Sequence, residues 1–454
     1  MFARDDFTTL QMRRALAAMA ALCATMACAF ALSATSFASQ AYAAQDTAST
    51  QAQPTYQLGS VQAESSVSAV AATPSKAQIK AFKKASADFA LDLFGKSVAA
   101  KGANANVTVA PLSVLTALAM TTNGASGKTA KQLRTVLANG ASASVLCQNL
   151  NWYNSQLVNV EKARISSANA IWYHNAGSLV MNPSFLENNK ALLGAEIRPA
   201  DFSTPNTVAE INGWVAQKTN NMIQKLIDIL DADSRIAIVN ALYFDAEWKK
   251  PYEEGDVRTA KFTNAKGKKR TVKMMHSTEN RFIKGKNVTG FIRPYAEGYS
   301  YVALLPSKGT NAKKFAQSLS GAQFRKLVSS AKPAHVRAGI PKYTVNYTND
   351  NMAKQLKSMG IKLAFNPLKA DFSLMGTDPL GRLYIDQVIH KTKVEVDERG
   401  TKASAATGVM MKAATAIMPT KVKTVILNRP FVYAIVDNTT KLPVFIGTVN
   451  TIGK

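Results

Sequence analysis

One stretch of the sequence, Val394–Pro419, restricts the fold more than any other, because its residues suit a loop and a strand equally well. It begins as a strand, in which Val394 and Val396 alternate with charged residues. After Gly400 it continues in small and β-branched residues, whereas a solvated loop is usually rich in Asp, Asn, Gly and Pro. Such residues enter a strand without steric objection. We therefore predict a loop that can be inserted into a β-sheet.

The two sides of this stretch differ in the way that insertion requires, since a strand places alternate side chains on opposite faces. One set is small, β-branched or apolar throughout: Thr401, Ala403, Ala405, Thr407, Val409 and Met411. The other set contains both lysines: Lys402, Ser404, Ala406, Gly408, Met410 and Lys412. The first set can face a core while every charge faces outward. The alternative is an ordinary solvent loop whose small residues are incidental.

The rest of the chain predicts an α+β protein with large antiparallel or mixed sheets. Helical spacing begins at Lys76 and could stop at Gly95, and an amphipathic pattern covers Ile211–Leu230. An unbroken apolar run surrounds Asn240, which is typical of a strand buried on both faces. Further strands are predicted at 107–109, 302–305, 336–340, 342–345, 431–436 and 442–448, and an apolar helix at 112–120. Since βαβ alternation is absent, we expect one α+β domain over residues 76–454.

The N-terminus reads as an export signal. Arg13 and Arg14 precede an apolar run that ends near Ala34, and Ala41–Ala43 offers an Ala-x-Ala cleavage site. We expect residues 1–43 to be a signal peptide, or else an uncleaved anchor, and residues 44–75 to be a flexible low-complexity spacer. The mature chain would keep only Cys147 and form no internal disulfide. This suits a secreted or surface-tethered protein of bacterial type.

The charge balance points to anionic partners without identifying one. The formal net charge is +26, from 55 Lys and Arg against 29 Asp and Glu. Nucleic acid, polyanionic glycans and an anionic cell envelope all attract such a surface, but no basic run is interleaved with aromatic residues, so we expect no specific nucleic-acid site. The tract Lys266–Arg270 could bind a polyanion weakly or could be a solvated hairpin. A basic surface-binding module therefore stays an alternative function.

No motif supports an enzyme. The tract Gly127–Thr129 matches only the end of a phosphate-binding loop, because Thr122 stands where its first glycine should be. The four histidines are far apart in the sequence and no Gly-x-Ser-x-Gly elbow occurs. His390 is read as a buried hydrogen-bonding histidine rather than a general base. We expect no catalytic residue, no metal and no cofactor.

Several separate stretches, in order, make the chain resemble the serpins, the family with the serine-protease-inhibitor fold. The match runs from about Lys76 to Gly447. Its landmarks are Asn106–Ser113, Ala117–Thr129, Ile211–Asn220, Val239–Phe244 with Trp248, Ile340–Tyr343, Ala370–Ser373, His390–Lys391, Glu398–Thr401, Pro430–Phe431 and Phe445–Gly447. Each landmark alone is weak, but their joint order is highly specific.

The resemblance implies three β-sheets, about eight to nine helices, an exposed reactive-centre loop and a monomer. It assigns a hydrogen-bonded shutter under the opening sheet to Ser113, Asn240 and His390. It assigns the hinge and inserting loop to Glu398, Gly400, Thr401, Ala403, Ala405, Ala406 and Thr407. This chain departs from the family at Ala110, Asn221 and Thr451, where serine, glycine and proline are usual. Because Ala110 lacks the hydroxyl of the usual serine, the sheet could open more or less easily than in other family members.

The resemblance also implies the function, inhibition of a serine protease by a suicide-substrate mechanism. A protease would cut the loop, become acylated and be trapped when residues 401–413 enter the main sheet. Counting sixteen residues from Glu398 places the reactive bond at Ala414–Thr415, which suits elastase-like or subtilisin-like enzymes. Cleavage at Lys412–Ala413 or at Met411–Lys412 stays open. A non-inhibitory serpin-fold carrier or chaperone is the alternative, although small hinge residues argue against it.

Overall fold

The computed structural model describes residues 73–175, 177–231, 233–349, 352–386, 388–401 and 422–453. These residues all belong to one compact unit. The first helix starts at Lys76, where Ser75 Oγ accepts a hydrogen bond from the backbone N–H of Gln78 and the Gln78 side-chain oxygen accepts one from the backbone N–H of Ser75. The predicted signal peptide (1–43) and nearly all of the predicted spacer (44–75) lie outside the described residues, so both stay predictions.

Nine α-helices occur within the described residues, in agreement with the expected eight to nine. Three of them begin with a proline, whose missing N–H costs nothing at that position. Their bounds are α1 Lys76–Ala100, α2 Pro111–Thr122, α3 Gly127–Ala138, α4 Ala143–Gln156, α5 Pro183–Leu193, α6 Pro205–Lys218, α7 Ala312–Ser318, α8 Gly321–Ser329 and α9 Met352–Met359. Short 3₁₀ turns occupy Glu254–Asp256 and Leu363–Phe365.

The strands form three sheets, which confirms the predicted α+β class. The strands are β1 Val107–Val109, β2 Ala163–His174, β3 Val180–Met181, β4 Ala195–Ala200, β5 Ile236–Glu247, β6 Val257–Thr263, β7 Lys269–Gly285, β8 Val288–Pro294, β9 Tyr299–Pro306, β10 Lys332–Pro341, β11 Tyr343–Asn349, β12 Gly376–Thr377, β13 His390–Val396, β14 Gly400–Thr401, β15 Lys423–Ile426, β16 Phe431–Asp437 and β17 Pro443–Val449. A nine-stranded sheet has the order β1-β17-β16-β9-β8-β7-β10-β15, with β6 beside β7.

The six-stranded sheet, called the main sheet below, has the order β11-β13-β14-β5-β2-β4. Its longest pair is β2 with β5, antiparallel from Ala163 opposite Ala246 to Tyr173 opposite Ile236. The third sheet consists of β12 and β3. A large core lies between the main sheet and the nine-stranded sheet, where residues such as Phe244, Tyr295 and Phe445 are buried together.

Helix α6 lies over the outer face of the main sheet, where Trp214 meets Trp172 edge-on at 5.3 Å between ring centroids. Glu196 on β4 fixes the helix there by accepting hydrogen bonds from Trp214 Nε1 at 3.0 Å and Lys218 Nζ at 2.7 Å. Burial opposes ionisation of Glu196, but bonds from Lys218, Arg198 and Trp214 outweigh it and lower its pKa to about 2. The carboxylate therefore stays charged at neutral pH.

Two predicted helix features are wrong. Helix α1 continues through Gly95 to Ala100. Gly95 lies inside the helix and faces α7, where a Cβ would lie 3.5 Å from the Gln317 carbonyl oxygen, an ordinary contact distance. The amphipathic pattern over Ile211–Leu230 is also not one helix, because α6 ends at Lys218.

Two departures from the family pattern have a local explanation. Asn220 and Asn221 end the helical path with φ angles of 48° and 58°, left-handed values that asparagine tolerates better than most residues. Asn221 can therefore stand where a glycine is usual. The backbone N–H of Thr451 donates to Asn106 Oδ1 at 3.0 Å, a bond that the usual proline could not make.

Candidate functional site

The candidate site lies in the main sheet between β13 and β5, where the predicted hinge enters. Strand β14 pairs antiparallel with both neighbours, so β13 and β5 run parallel to each other. Thr401 lies opposite Val396 on β13 and Ala246 on β5. From Asp245 to Ile236, none of the described residues pairs with the edge of β5 that faces β13. A strand position therefore begins at Thr401 and continues down the sheet.

A tight turn connects β13 to β14. The Asp397 carboxylate accepts hydrogen bonds from the Arg399 amide at 2.9 Å and the Gly400 amide at 3.1 Å. Gly400 then passes so close to β5 that a Cβ would collide with the backbone of Ala246. Any larger residue would push the hinge out of the sheet, which explains the glycine at this position.

Glu398 connects this turn to the neighbouring elements. Its backbone carbonyl accepts from the Tyr252 amide at 2.9 Å, and its carboxylate lies 2.7 Å from Lys342 Nζ. Burial opposes ionisation of Glu398, but the hydrogen bond from Lys342 outweighs it and lowers the carboxyl pKa. Both groups are about one-third exposed, so the pair orients the hinge more than it stabilises the fold.

Thr401 is held by a contact that the sequence does not reveal. Its side chain is only 2% exposed, and its hydroxyl lies 2.5 Å from the hydroxyl of Tyr295. The Tyr295 ring stacks on Trp248 at 4.5 Å, and Trp248 Nε1 donates to the Asp397 carbonyl at 2.9 Å. The turn at Asp397 and the side chain of Thr401 are thus both held by the stacked rings of Trp248 and Tyr295. No motif marks Tyr295, which is 106 residues away in the chain.

The three predicted shutter residues, Ser113, Asn240 and His390, line one cavity of about 710 Å³ below the hinge. They do not hydrogen-bond to one another in the part of the chain that the structure describes. Asn240 Nδ2 instead donates to Ser167 Oγ at 3.0 Å and Asn169 Oδ1 at 2.6 Å, both on β2. Its Oδ1 atom is buried without a donor among the described residues. The structure therefore places the three residues around one cavity, with no hydrogen bond linking Asn240 on β5 to His390 on β13.

His390 is bonded to the position where the family usually has a serine. The backbone amide of Ala110 donates to His390 Nε2 at 3.1 Å, so the main chain supplies a donor although alanine has no hydroxyl. Burial lowers the pKa of His390 to about 4, which keeps the ring neutral at pH 7. Because Nε2 accepts a bond, the ring proton is assigned to Nδ1.

We expect acid to destabilise the native sheet through His390. In the folded protein the pKa of His390 is about 4, whereas in the unfolded chain it is near 6.5. Between these two pH values the unfolded chain binds a proton at His390 and the folded protein does not, so falling pH favours unfolding. Its contribution is therefore complete above about pH 6.5 and falls as the pH drops toward 4. The loss should approach about 1.4 kcal/mol per pH unit in that window. Urea unfolding midpoints between pH 7 and pH 5 measure it.

The matched control is His390→Gln, which can still accept from the Ala110 amide but cannot be protonated. His276, whose pKa is lowered by burial and by nearby Arg258, contributes with the same sign but is partly exposed. His276→Gln should therefore remove less of the slope than His390→Gln. An unchanged slope in His390→Gln would show that His390 is not the responsible group.

The loop itself lies outside the described residues, which resume at Val422. The predicted reactive bond Ala414–Thr415 and the inserting residues Ala403, Ala405, Ala406 and Thr407 all belong to this part. Strand β15 carries the chain away and pairs parallel with β10, from Val336 opposite Lys423 to Gly339 opposite Ile426. The two ends of the loop are thus held by two different sheets.

The described residues contain no cluster of three or more His, Cys, Asp or Glu side chains that could hold a metal ion. They also contain no helix that is long and apolar enough to cross a membrane. Cys147 is buried, and burial raises the pKa of its thiol to about 12. A neutral, buried thiol is a poor nucleophile.

Comparison with known proteins agrees with this geometry. Residues 84–452 match the family model described as Serpin (serine protease inhibitor). Serpin-Z7 of Hordeum vulgare is 31% identical over 368 residues, covering 77% of this chain and 90% of that protein. A leukocyte elastase inhibitor of Xenopus tropicalis is 29% identical over 374 residues, covering 79% of this chain and 96% of that protein.

Among solved structures, a thermophilic serpin, tengpin, in its native state superposes with a TM-score of 0.76 at 40% sequence identity. The alignment covers 82% of this chain and 94% of tengpin.

Proposed function

The chain belongs to the serpin family, and on that premise we propose that it is a suicide-substrate inhibitor of serine proteases. Serpins are generally protease inhibitors and not enzymes. One observation carries the proposal for this chain. Thr401 is already paired on both sides, with Val396 and Ala246, at the top of a strand position that continues downward between β13 and β5.

The register of β14 predicts where each loop residue would lie after insertion. Continued in steps of two, it places Ala403 opposite Phe244 and Val394, and Ala405 opposite Leu242 and Thr392. Those four partners are all less than one-tenth exposed. A small residue at each step therefore fits against buried side chains, whereas a large or charged one would not.

At the next step, Thr407 would lie between Asn240 and His390, at the level of the cavity. Asn240 Oδ1 has no donor among the described residues, and a threonine hydroxyl could supply one. The loop residues that follow Thr407 would fill the rest of the cavity, because they would lie beside Ile238 and Ile236 of β5, which also line it. Insertion would thus exchange a cavity for a packed, hydrogen-bonded strand.

The proposed steps are those that the family resemblance implies. The protease serine Oγ attacks the carbonyl carbon at Ala414, the bond to the Thr415 nitrogen breaks, and that nitrogen leaves as an amine. An ester then joins the protease to the chain that ends at Ala414. Insertion of residues 401–413 carries the attached protease along the sheet and distorts its active site before water can hydrolyse the ester.

The proposed target class follows from the reactive bond. An alanine before the cut suits a shallow apolar specificity pocket, as in elastase-like or subtilisin-like enzymes. A relative named leukocyte elastase inhibitor supports this choice. Cleavage at Lys412–Ala413 would instead suit a trypsin-like enzyme, and Met411–Lys412 also stays open. We further propose export, with residues 1–43 as the signal, and action as a monomer outside the cell or tethered to its surface.

The test is incubation with elastase, subtilisin and trypsin in separate reactions, followed by denaturing gels and residual-activity titration. We expect a band larger than the protease for at least one enzyme, and loss of its activity near a one-to-one ratio. Fast clipping of the protein with full protease activity would contradict inhibition and favour the carrier or chaperone function. Trypsin trapping without elastase or subtilisin trapping would move the bond to Lys412–Ala413.

A further inference from the structure

The turn between β13 and β14, called the hinge turn below, is held by residues 248–252, called the supporting segment below. Three consecutive carbonyls of the hinge turn accept hydrogen bonds from this segment. The bonds run from the Trp248 amide to Arg399 at 2.7 Å, from the Tyr252 amide to Glu398 at 2.9 Å, and from Trp248 Nε1 to Asp397 at 2.9 Å. The position of the hinge turn therefore depends on where Trp248 and Tyr252 are held.

A buried arginine of β8, Arg293, lies against the supporting segment. Its Cζ atom is 3.9 Å from the ring centroid of Tyr252 and 5.0 Å from that of Trp248. Its Nη2 atom donates to the Lys250 carbonyl at 2.5 Å. A planar guanidinium can stack on aromatic rings and donate hydrogen bonds in its own plane, so this one side chain holds both rings and the backbone between them.

Glu279 on β7 fixes the guanidinium in this place. Its Oε1 atom accepts hydrogen bonds from Arg293 Nη1 at 2.5 Å and from Ser277 Oγ at 2.6 Å. Both side chains of the ion pair are 5% exposed. Because Glu279 and Arg293 stand on neighbouring strands of the nine-stranded sheet, that sheet sets the position of the guanidinium against the supporting segment.

This ion pair is a poor means of stabilising the fold. Burial removes water from both charges, and Arg293 Nε is buried with no acceptor among the described residues. Two apolar side chains of similar volume often replace such a pair without loss of stability. An apolar pair cannot, however, donate to the Lys250 carbonyl or place a cation on the two rings. The pair is therefore suited to fixing a geometry rather than to adding stability.

From these contacts we propose that Arg293, held by Glu279, is a positioning residue for loop insertion. It keeps the supporting segment, and through it the hinge turn, in the place from which Thr401 enters the main sheet. The inference rests on the proposed function, because insertion is the step that Arg293 serves. Without the guanidinium, Trp248 and Tyr252 would shift, the hinge turn would move with them, and the cut loop would enter the sheet more slowly. More of the ester would then be hydrolysed before the protease is trapped.

The test uses variants that leave no unpaired buried charge. The site variant is Arg293→Met/Glu279→Met, which replaces both partners by adaptable apolar side chains. A second variant, Arg293→Lys, keeps a positive charge beside Glu279 but lacks the planar group that stacks on the two rings. The control variant is Lys84→Met/Asp88→Met, which removes an ion pair from the surface of α1 by the same substitutions.

Three measurements are made on the whole protein: thermal unfolding, hydrogen exchange of the peptide 247–253, and the number of inhibitor molecules consumed per protease. We expect the site variant to melt no lower than the original. The Trp248 and Tyr252 amides, which donate to the hinge turn, should exchange at least about tenfold faster, and the number consumed should rise at least about threefold. Arg293→Lys should lie between the site variant and the original, and the control variant should match the original.

Two results would overturn the inference: exchange at the two amides as slow in the site variant as in the original, or faster exchange with unchanged consumption. If the site variant melts lower than the original, Arg293→Lys is judged by the same two results. Failure of the original protein to trap any protease would instead contradict the proposed function, on which the inference rests. Normal trapping with unchanged exchange contradicts the inference alone.

Discussion

Replacing Ala405 by arginine is expected to convert the inhibitor into a substrate. The register of β14 places residue 405 opposite Leu242 and Thr392, which are 8% and 6% exposed. Inserting the loop would then bury an unpaired guanidinium, at a cost of several kcal/mol. Insertion would slow by orders of magnitude and lose to hydrolysis of the ester. The number of inhibitor molecules consumed per protease should rise at least about tenfold.

The neighbouring variant Ser404→Arg is the matched control. Residue 404 would lie on the outer face, opposite Tyr243 and Lys393. Tyr243 is itself buried, but the Lys393 side chain is about one-third exposed, so an arginine at position 404 can extend past it to solvent. The same substitution one residue away should therefore leave the inhibited complex largely intact. Equal behaviour of the two arginine variants would contradict the proposed register. Both changes lie in the loop, so neither should alter the unfolding of the uncut protein.

Cutting the loop without trapping a protease is expected to raise the melting temperature by more than about 10 °C. A metalloprotease uses an activated water and forms no ester with the chain, so it should cut between residues 409 and 415 and leave. The free strand can then pair with β13 and β5 and fill the cavity of about 710 Å³. About ten new backbone hydrogen bonds, each worth about 1 kcal/mol net, favour the inserted state by about 10 kcal/mol before packing is counted.

Differential scanning calorimetry of the intact and cut proteins measures this shift. For a domain of this size, 1 kcal/mol corresponds to a shift of about 1–2 °C, by extension of the values for smaller domains. The cut Ala405→Arg variant should show little of the rise, because its loop cannot enter the sheet. An unchanged melting temperature in the cut original protein would contradict loop insertion itself.

Much of the fold could be predicted because strands and helices in this chain carry strong local patterns. The apolar run around Asn240 predicted the central strand β5, and the alternation at Val394 and Val396 predicted β13, whose inward residues are all buried. Helix ends were harder. Apolar spacing continues past Lys218, but the helix ends there and Asn220 and Asn221 take left-handed φ angles that the apolar spacing does not reveal.

The contacts within the site were harder still, because they join distant parts of the chain. The hinge motif predicted that Thr401 could enter a sheet, but not that Tyr295 would hold its hydroxyl. The family pattern grouped Ser113, Asn240 and His390, whereas the bonds of Asn240 go to β2 and that of His390 goes to Ala110. A side-chain amide or imidazole has several partners within reach, and only the packed structure selects among them.

The intact mass of the trapped complex tests the central claim most directly. A denatured complex with elastase or subtilisin should have the mass of the protease plus the chain that ends at Ala414, less one water. The peptide that begins at Thr415 should be released. A mass fitting an ester at Lys412 or Met411 would keep the mechanism and move the bond. Recovery of only free protease and two fragments of the chain would contradict the claim that this protein traps its target as an acyl-enzyme.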